Sequence, residues 1–297
     1  MDARPVDRHV PPLDPAGDSS PVSMALAHVA SLAEGAPLDP MLRVTVHFHP
    51  DRTCRGEPVL AALARDGAYK SQFETGVSNG GLTAYPGGDR WKWESRIFGG
   101  AYDNSPPPDR PKYGALNFRG RSIGASPRFG SAHLRLKAHT LARTTFCFPD
   151  SVFEPRHFGT ACRMPLIPLA RESPRDLLDD YIEAQVHGPV RLDRDVEAIV
   201  LDPAYRGTDI ERLAGTLPCS VEWHAGFQVR VEVLQREPEY RGREFVDLGV
   251  ALARDGWLNP RLLGDAFRAG TFDEQALKRV WHYIARFGAP EEDVARV

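Results

Sequence analysis

The sequence contains no apolar run approaching the roughly 18 residues needed to span a bilayer. Its opening MDARPVDRHVPPLDP lacks the hydrophobic stretch of an ordinary secretory signal. The expectation is a cytoplasmic protein, or one exported by a signal-independent route, with no membrane partner. Charge of one sign is lacking too: 37 Lys and Arg stand against 40 Asp and Glu, a net charge of −3 at pH 7. No chain-wide basic field exists to hold nucleic acid, so none is expected as a partner. Cys54, Cys147, Cys162 and Cys219 form no C-x-x-C pair, which argues against a zinc ribbon or a disulfide framework. The P-loop pattern, G-x-G-x-x-G after a strand, the G-x-S-x-G elbow and H-E-x-x-H are all missing. Phosphate-loop NTPases, Rossmann enzymes, elbow-type serine hydrolases and zincins thereby lose their usual marks.

What the chain has in quantity is punctuation. Among 297 residues there are 26 Gly and 26 Pro, about one position in six. That implies many turns and short strands, and it excludes a helical bundle or a coiled coil. The 42% hydrophobic and 26% charged content is ordinary for a folded domain. The first 20 residues read as a mobile arm and Ser23–Leu32 as a short helix. Alternation predicts strands over Leu42–Phe48, His133–Lys137, Thr140–Phe148, Tyr181–His187, Val196–Leu201 and Val229–Leu234. Glu57–Asp66 reads as a helix stopped by Gly67, and Pro174–Leu178 as a short one capped by Ser173. Gly76–Gly130 is a long Gly/Pro/aromatic-rich stretch, the kind of loop kept when it builds a site. After Arg236 the period becomes helical, with Asn259 capping a helix that has Pro260 at its first position and a last helix over Asp273–Phe287. Strands followed by helices predict an α+β fold with a mixed or antiparallel sheet. The expected organisation is an arm with a short helix over 1–38, a core over 39–235 and a helical extension packed on it over 236–297.

Three clusters could carry chemistry. In the first, His47-Phe48-His49-Pro50-Asp51-Arg52, the two histidines share a face of a strand. That spacing suits a metal-ligating pair, and equally two histidines bonded to nearby backbone. Arg52, an always-charged fork beyond a strand end, suits a phosphate or carboxylate ligand or a surface ion pair. The second cluster runs from Tyr69 to Gly81. Thr75, Ser78, Asn79 and Gly80 place hydroxyls and a side-chain amide among glycines that let a ligand approach, although Ser-Asn-Gly-Gly is also a strong turn signal. In the third, Glu183, Gln185 and His187 alternate along one strand. They line a polar cleft or the solvent side of an edge strand.

The order of these clusters, with the wording VHFHPDR, QFETGVSNGG, YGALNF, GSAHLRLK, YIEAQVHGPV and VEAIVLDPAYRGT, resembles a bacterial domain-of-unknown-function family. That family includes Lart-type effector mono-ADP-ribosyltransferases of the R-S-E group. The resemblance covers about Leu42 to Thr208. It implies an ADP-ribosyltransferase-like fold, NAD⁺ as substrate, a protein acceptor and no metal. Arg52, Ser78 and Glu183 then match the catalytic arginine, serine and glutamate, with Thr75 a nearby alternative to Ser78. His49, Thr75, Asn79, Gly80, Gln185 and His187 fall at NAD⁺-binding positions. His47, His49, His187, Trp91, Trp93 and Tyr113 are candidate cleft walls, the tryptophans being more simply read as core. One departure is visible: arginine-modifying members carry E-x-E, whereas this triplet reads Glu183-Ala184-Gln185. The catalytic role therefore falls on Glu183, and arginine is only one candidate acceptor. Two other classes remain open. One is a metal-dependent hydrolase using His47, His49 and Asp51 with His133, His139 or His157. The other is an inactive NAD-binding module.

Overall fold

A computed structural model of the chain describes residues 20–76, 83–173 and 175–294. Helix α1 (Pro21–Leu32) begins where the Ser20 hydroxyl accepts from the Ser23 amide at 3.2 Å, with Pro21 at its first position. Its Ala25 and Val29 are fully buried beside Trp93, Phe98 and Tyr102. The expected helix is therefore present, but it is built into the body of the protein and is not part of an arm. The rest of the expected arm, residues 1–19, lies outside the described residues.

Strand β1 (Val44–Phe48) alternates as its sequence requires. Val44, Val46 and Phe48 join the main hydrophobic cluster, and Thr45 and His47 take the opposite face. Helix α2 (Val59–Asp66) packs Leu60 and Leu63 on that cluster. It ends at Gly67, whose φ of 61° lets its amide return to the Leu63 carbonyl.

The stretch read as one long loop holds two regular elements, α3 (Asp89–Ile97) and β2 (Lys112–Leu116). Lys-Tyr-Gly-Ala-Leu is too short and mixed to announce an interior strand. It needs Gly114 for space: a Cβ there would lie 2.6 Å from the Thr45 carbonyl oxygen on β1.

The sheet continues with β3 (Ala132–Leu136), β4 (Thr144–Phe148) and β5 (His157–Thr160), then helix α4 (Leu166–Glu172), β6 (Ile182–Val186), β7 (Val196–Leu201) and β8 (Ser220–Trp223). The eight strands form one sheet in the order β8-β7-β3-β1-β2-β6-β4-β5, antiparallel except for the parallel pair β7 and β8. Two expectations shift here. The strand expected over Thr140–Phe148 starts at Thr144, because Ala138–Arg143 forms a 3-10 turn. No helix runs over residues 175–178, and Pro174 lies outside the described residues; Ser173 opens no helix there and instead closes α4, the helix in this region. Pro168 sits in its first turn, where a missing amide costs no helical bond.

The last third folds as α5 (Val231–Arg236), α6 (Arg243–Leu252), α7 (Pro260–Ala269) and α8 (Glu274–Phe287). The predicted cap is present at α7, where the Asn259 side chain accepts from the Leu262 amide at 3.1 Å. Val229–Leu234, read as a strand, is extended only at Val229–Arg230, which pair with Trp257–Leu258. From Val231 the chain turns helical, burying Leu234 in a cluster with Val246, Leu258 and Leu277. Tertiary packing overrides the β-branched local preference there.

The result is a mixed α/β molecule with a large mixed sheet and a C-terminal helical layer. Among the described residues, no helix is long and apolar enough to cross a membrane. Helix α7 crowds the end of β1, since a Cβ on Gly264 would lie 1.6 Å from Asp51 Oδ2. Helix α8 inserts Trp281, fully buried, whose Nε1 donates to the carbonyls of Pro127 at 3.0 Å and Arg128 at 3.1 Å.

Candidate functional site

Strands β2, β6 and β4 lie side by side, with Ala115, Glu183 and Cys147 in register. Ile182, Ala184 and Val186 point into the apolar face, so Glu183 and Gln185 point to the polar one. The carboxylate of Glu183, 7% exposed, is held on both oxygens. Oε2 accepts from the Ser151 amide at 3.2 Å and its hydroxyl at 2.9 Å, and Oε1 accepts from Gln185 Nε2 at 3.1 Å.

Behind Glu183 runs a chain of donors whose direction follows from the valences of its members. Gln185 gives its amide to Glu183, so its Oε1 accepts from the Thr145 hydroxyl at 2.8 Å. That hydroxyl in turn accepts from His187 Nε2 at 2.9 Å. Neutral His187 then accepts a hydrogen bond from the Tyr102 hydroxyl on Nδ1, at 2.7 Å. Burial pushes the His187 pKa down to about 3, so the neutral form this chain requires is the stable one.

Glu183 opens onto a cleft of about 340 Å³. Arg90, Tyr113, Ser151, Asp150 and Tyr181 line its floor with Glu183, while His49, Arg52, Tyr69 and Thr75 form other walls. Burial raises the Glu183 pKa, Arg90 opposes that rise, and Asp150 adds to it. Asp150 takes the Tyr181 hydroxyl. Arg90 is 4% exposed, with its guanidinium 4.0 Å over the Tyr113 ring and Nη1 3.5 Å from Ser151 Oγ. Next to it, Glu94 accepts from Tyr113 at 2.8 Å and from Arg110 at 2.7 Å. Two arginines, Arg90 and Arg110, thus balance two carboxylates, Glu94 and Glu183, beneath the sheet.

The sequence-derived residues separate clearly in space. Arg52, His49, Thr75 and Glu183 line one cleft. Arg52 comes from the corner after β1, with its guanidinium 3.4 Å over the Phe267 ring of α7. His49 meets Trp281 edge-on at 4.9 Å, and burial, aided by Arg52, holds its pKa well below the usual histidine value. Thr75 ends a short helical turn, its hydroxyl donating to the Ser71 carbonyl at 3.2 Å. Ser78, Asn79 and Gly80 lie outside the described residues. Gln185 and His187, expected at NAD⁺-binding positions, are fully buried and do not line the cleft. The edge-on packing of Phe98 against the His187 ring and the donor chain explain why: both residues support Glu183 from behind. Trp93 is core, as its apolar reading allowed, and Tyr113 is a cleft wall.

His47 and His49 both line the cleft, although β1 ends at Phe48 and His49 lies just beyond it. His47, however, commits both ring nitrogens to backbone: Nδ1 donates to Gly130 O at 3.1 Å and Nε2 accepts from Ser126 N at 3.3 Å. Asp51 takes the Tyr205 hydroxyl at 2.7 Å. Among the described residues, no group of three or more His, Cys, Asp or Glu is arranged to hold a metal ion.

Sequence reading missed Ser151 and Arg90. A signal existed for the first: Pro149-Asp150-Ser151 follows a strand, and Asp150 caps the turn by accepting from the Val152 amide at 2.9 Å. For the second there was none. Nothing in DRWKWESRI distinguishes buried Arg90 from exposed Arg96 until α3 is laid on the sheet.

The buried histidines have a consequence for pH. Burial pushes His47 down to about 4, and His187 and His282 down to about 3, from an ordinary value of 6.5. The unfolded chain therefore binds more protons than the folded one in that window, so their contribution to stability is complete above 6.5 and is lost as pH falls toward 4 and then 3. Thermal unfolding followed by circular dichroism should show Tm dropping across that range. A Tm flat from pH 6.5 to 4 would contradict the neutral, buried state of these rings.

The chain matches the model of one known protein family, described as "Protein of unknown function (DUF3626)", over residues 43–171 and 162–287. No curated protein matches it.

Proposed function

The chain belongs to the DUF3626 family, a family of unknown function, and from that premise we propose that it is a mono-ADP-ribosyltransferase of the R-S-E type on an ADP-ribosyltransferase-like fold. It cleaves NAD⁺ at the nicotinamide–ribose bond and passes ADP-ribose to a protein side chain. The observation that carries this reading is the position of Glu183 and Arg52 on walls of one cleft, 131 positions apart in sequence (183 − 52), with a hydroxyl already bonded to the carboxylate.

The chemistry suits these groups. Nicotinamide leaves with the electron pair of the C–N bond, and positive charge develops on the ribose as in glycoside cleavage. Glu183, held by donors on both oxygens, stabilises that charge in its carboxylate form without having to reorganise. Arg52 supplies a fork for the pyrophosphate or neighbouring ribose, and the Phe267 ring beneath it sets the plane of its guanidinium. Ser151 provides the carboxylate-orienting hydroxyl that the resemblance assigns to Ser78. Tyr113 and Tyr69 offer ring surfaces for nicotinamide or adenine. The acceptor nucleophile then forms the new bond to the ribose carbon and releases its proton. Arginine is one candidate acceptor; Gln185 at the second E-x-E position leaves that choice open.

The test is to incubate the chain with biotinylated NAD⁺ and a cell lysate, while measuring free nicotinamide from unlabelled NAD⁺. Labelling and nicotinamide release that persist in EDTA are expected. NAD⁺ binding without release would identify an inactive module, and release abolished by EDTA would favour the hydrolase class. Either result overturns the transferase reading.

A further inference from the structure

A carboxylate that must carry charge in a buried place needs something to keep it ionised, and Arg90 on the floor of the cleft is a cation that does so. Arg90 enters from α3 and is almost fully buried. Its Nη1 lies 3.5 Å from Ser151 Oγ, and that oxygen lies 2.9 Å from Glu183 Oε2. The donor sense is unambiguous. Arginine can only donate, so Ser151 accepts a hydrogen bond from Arg90 and donates one to Glu183. Among the described residues Arg90 Nε has no hydrogen-bond partner, and the charge of Arg90 is felt by Glu183, by Glu94 and by the Tyr113 hydroxyl. The guanidinium is oriented by the Tyr113 ring at 4.0 Å and the Trp93 ring at 5.6 Å.

We propose that Arg90, acting through the Ser151 hydroxyl, is the positioning residue that keeps Glu183 a charged carboxylate and so sets the acid limit of the site's activity. The proposal rests on the transferase reading for its consequence in turnover, but not for its electrostatics.

The surroundings of Glu183 on every packed element are consistent with this. From its own strand comes Gln185, a neutral donor, and from just before it Tyr181, which donates to Asp150. From β4 comes the Cys147 thiol, 3.9 Å away, whose pKa burial and Glu183 drive well above the ordinary value. The turn after β4 brings Asp150, a like charge that works against ionisation. From β2 comes Tyr113, whose hydroxyl is given to Glu94, and Glu94 is itself matched by Arg110. Burial and Asp150 thus both favour the neutral acid, and Arg90 is the nearby cation that opposes them. An opposite charge at such range typically moves a carboxyl by about one to three pH units.

The test compares native protein with Arg90→Met, Arg90→Lys and Ser151→Ala in two readouts. The first is a titration of Glu183 by NMR of the chain labelled with carbon-13 at glutamate Cδ, with the signal assigned by its loss in Glu183→Gln. It needs no substrate. Arg90→Met should move the Glu183 midpoint upward by at least about one pH unit, Ser151→Ala by a comparable amount because it breaks the same relay, and Arg90→Lys should stay near native. The second is nicotinamide release against pH, whose acid limb should shift by the same amount in Arg90→Met and recover toward native rates in alkali. A Glu183 midpoint unchanged in folded Arg90→Met overturns the proposal, as does one that moves equally in Arg90→Lys. If native protein releases no nicotinamide, the transferase reading fails while the titration still decides the role of Arg90.

Discussion

Glu183→Gln is expected to lower nicotinamide release from NAD⁺ by about a hundred- to a thousandfold, the scale at which a single electrostatic contact to a developing charge is lost. The substitution is nearly isosteric. Its oxygen can still accept from Ser151, but its new NH₂ faces the Gln185 amide nitrogen, which lies 3.1 Å from Oε1 in the native protein. Two donors cannot satisfy each other, so the change removes both the charge and one hydrogen bond. Gln185→Ala keeps the charge, removes the bond to Glu183 and leaves the Thr145 hydroxyl without its acceptor, so its loss should be at least about tenfold, the scale of a hydrogen bond to a charged group. The comparison locates the active carboxylate. If Gln185→Ala costs more than Glu183→Gln, the critical position is Gln185, two residues along the strand, and not Glu183. If Glu183→Gln turns over as well as native, the carboxylate has no part in the reaction. Intact folding, checked by circular dichroism, is required for either conclusion.

Trp281→Ala is expected to cost about 3–5 kcal/mol of stability, as complete removal of a buried aromatic does, and to lower Tm by on the order of 10 °C. The ring is fully buried, edge-on to His49 at 4.9 Å and to Phe227 at 5.2 Å. Its indole nitrogen also satisfies the carbonyls of Pro127 and Arg128, in the turn that carries the cleft residues Arg128 and Phe129. The mutation therefore opens a cavity under two walls of the site at once. Weaker NAD⁺ binding, seen as a raised KM with kcat less affected, should accompany the loss of stability, since Glu183 on β6 is untouched. Trp281→Phe restores most of the packing but leaves both carbonyls without their donor. It should therefore lose about 1–3 kcal/mol, less than Trp281→Ala. Calorimetry and steady-state kinetics together check this; equal Tm values for native and Trp281→Ala would show that the C-terminal helices do not brace the cleft.

Much of this was legible in the sequence. Alternation located β1, β6 and β7, and it placed Glu183 and Gln185 on the same face. Gly67 and Asn259 announced a helix end and a helix start because left-handed backbone and a capping amide are local needs. The interior strand β2 was not legible, since Lys112–Leu116 is shaped by the close approach of Thr45 to Gly114 and not by its own periodicity. Nor was the helical state of Val231–Arg236, which its burial against α6 imposes.

For the site, the residues themselves determined the kinds of chemistry on offer: a permanent cation at Arg52, an acid at Glu183 and hydroxyls among glycines. Residue type and period are properties of a few neighbouring positions, and a sequence states them directly. Tertiary structure decided which of those groups share a space. It took Gln185 and His187 out of the cleft and made them supports, and it brought in Ser151 and Arg90. Burial, hydrogen-bond partnership and local charge depend on distances between segments far apart in the chain, and only folding sets those distances.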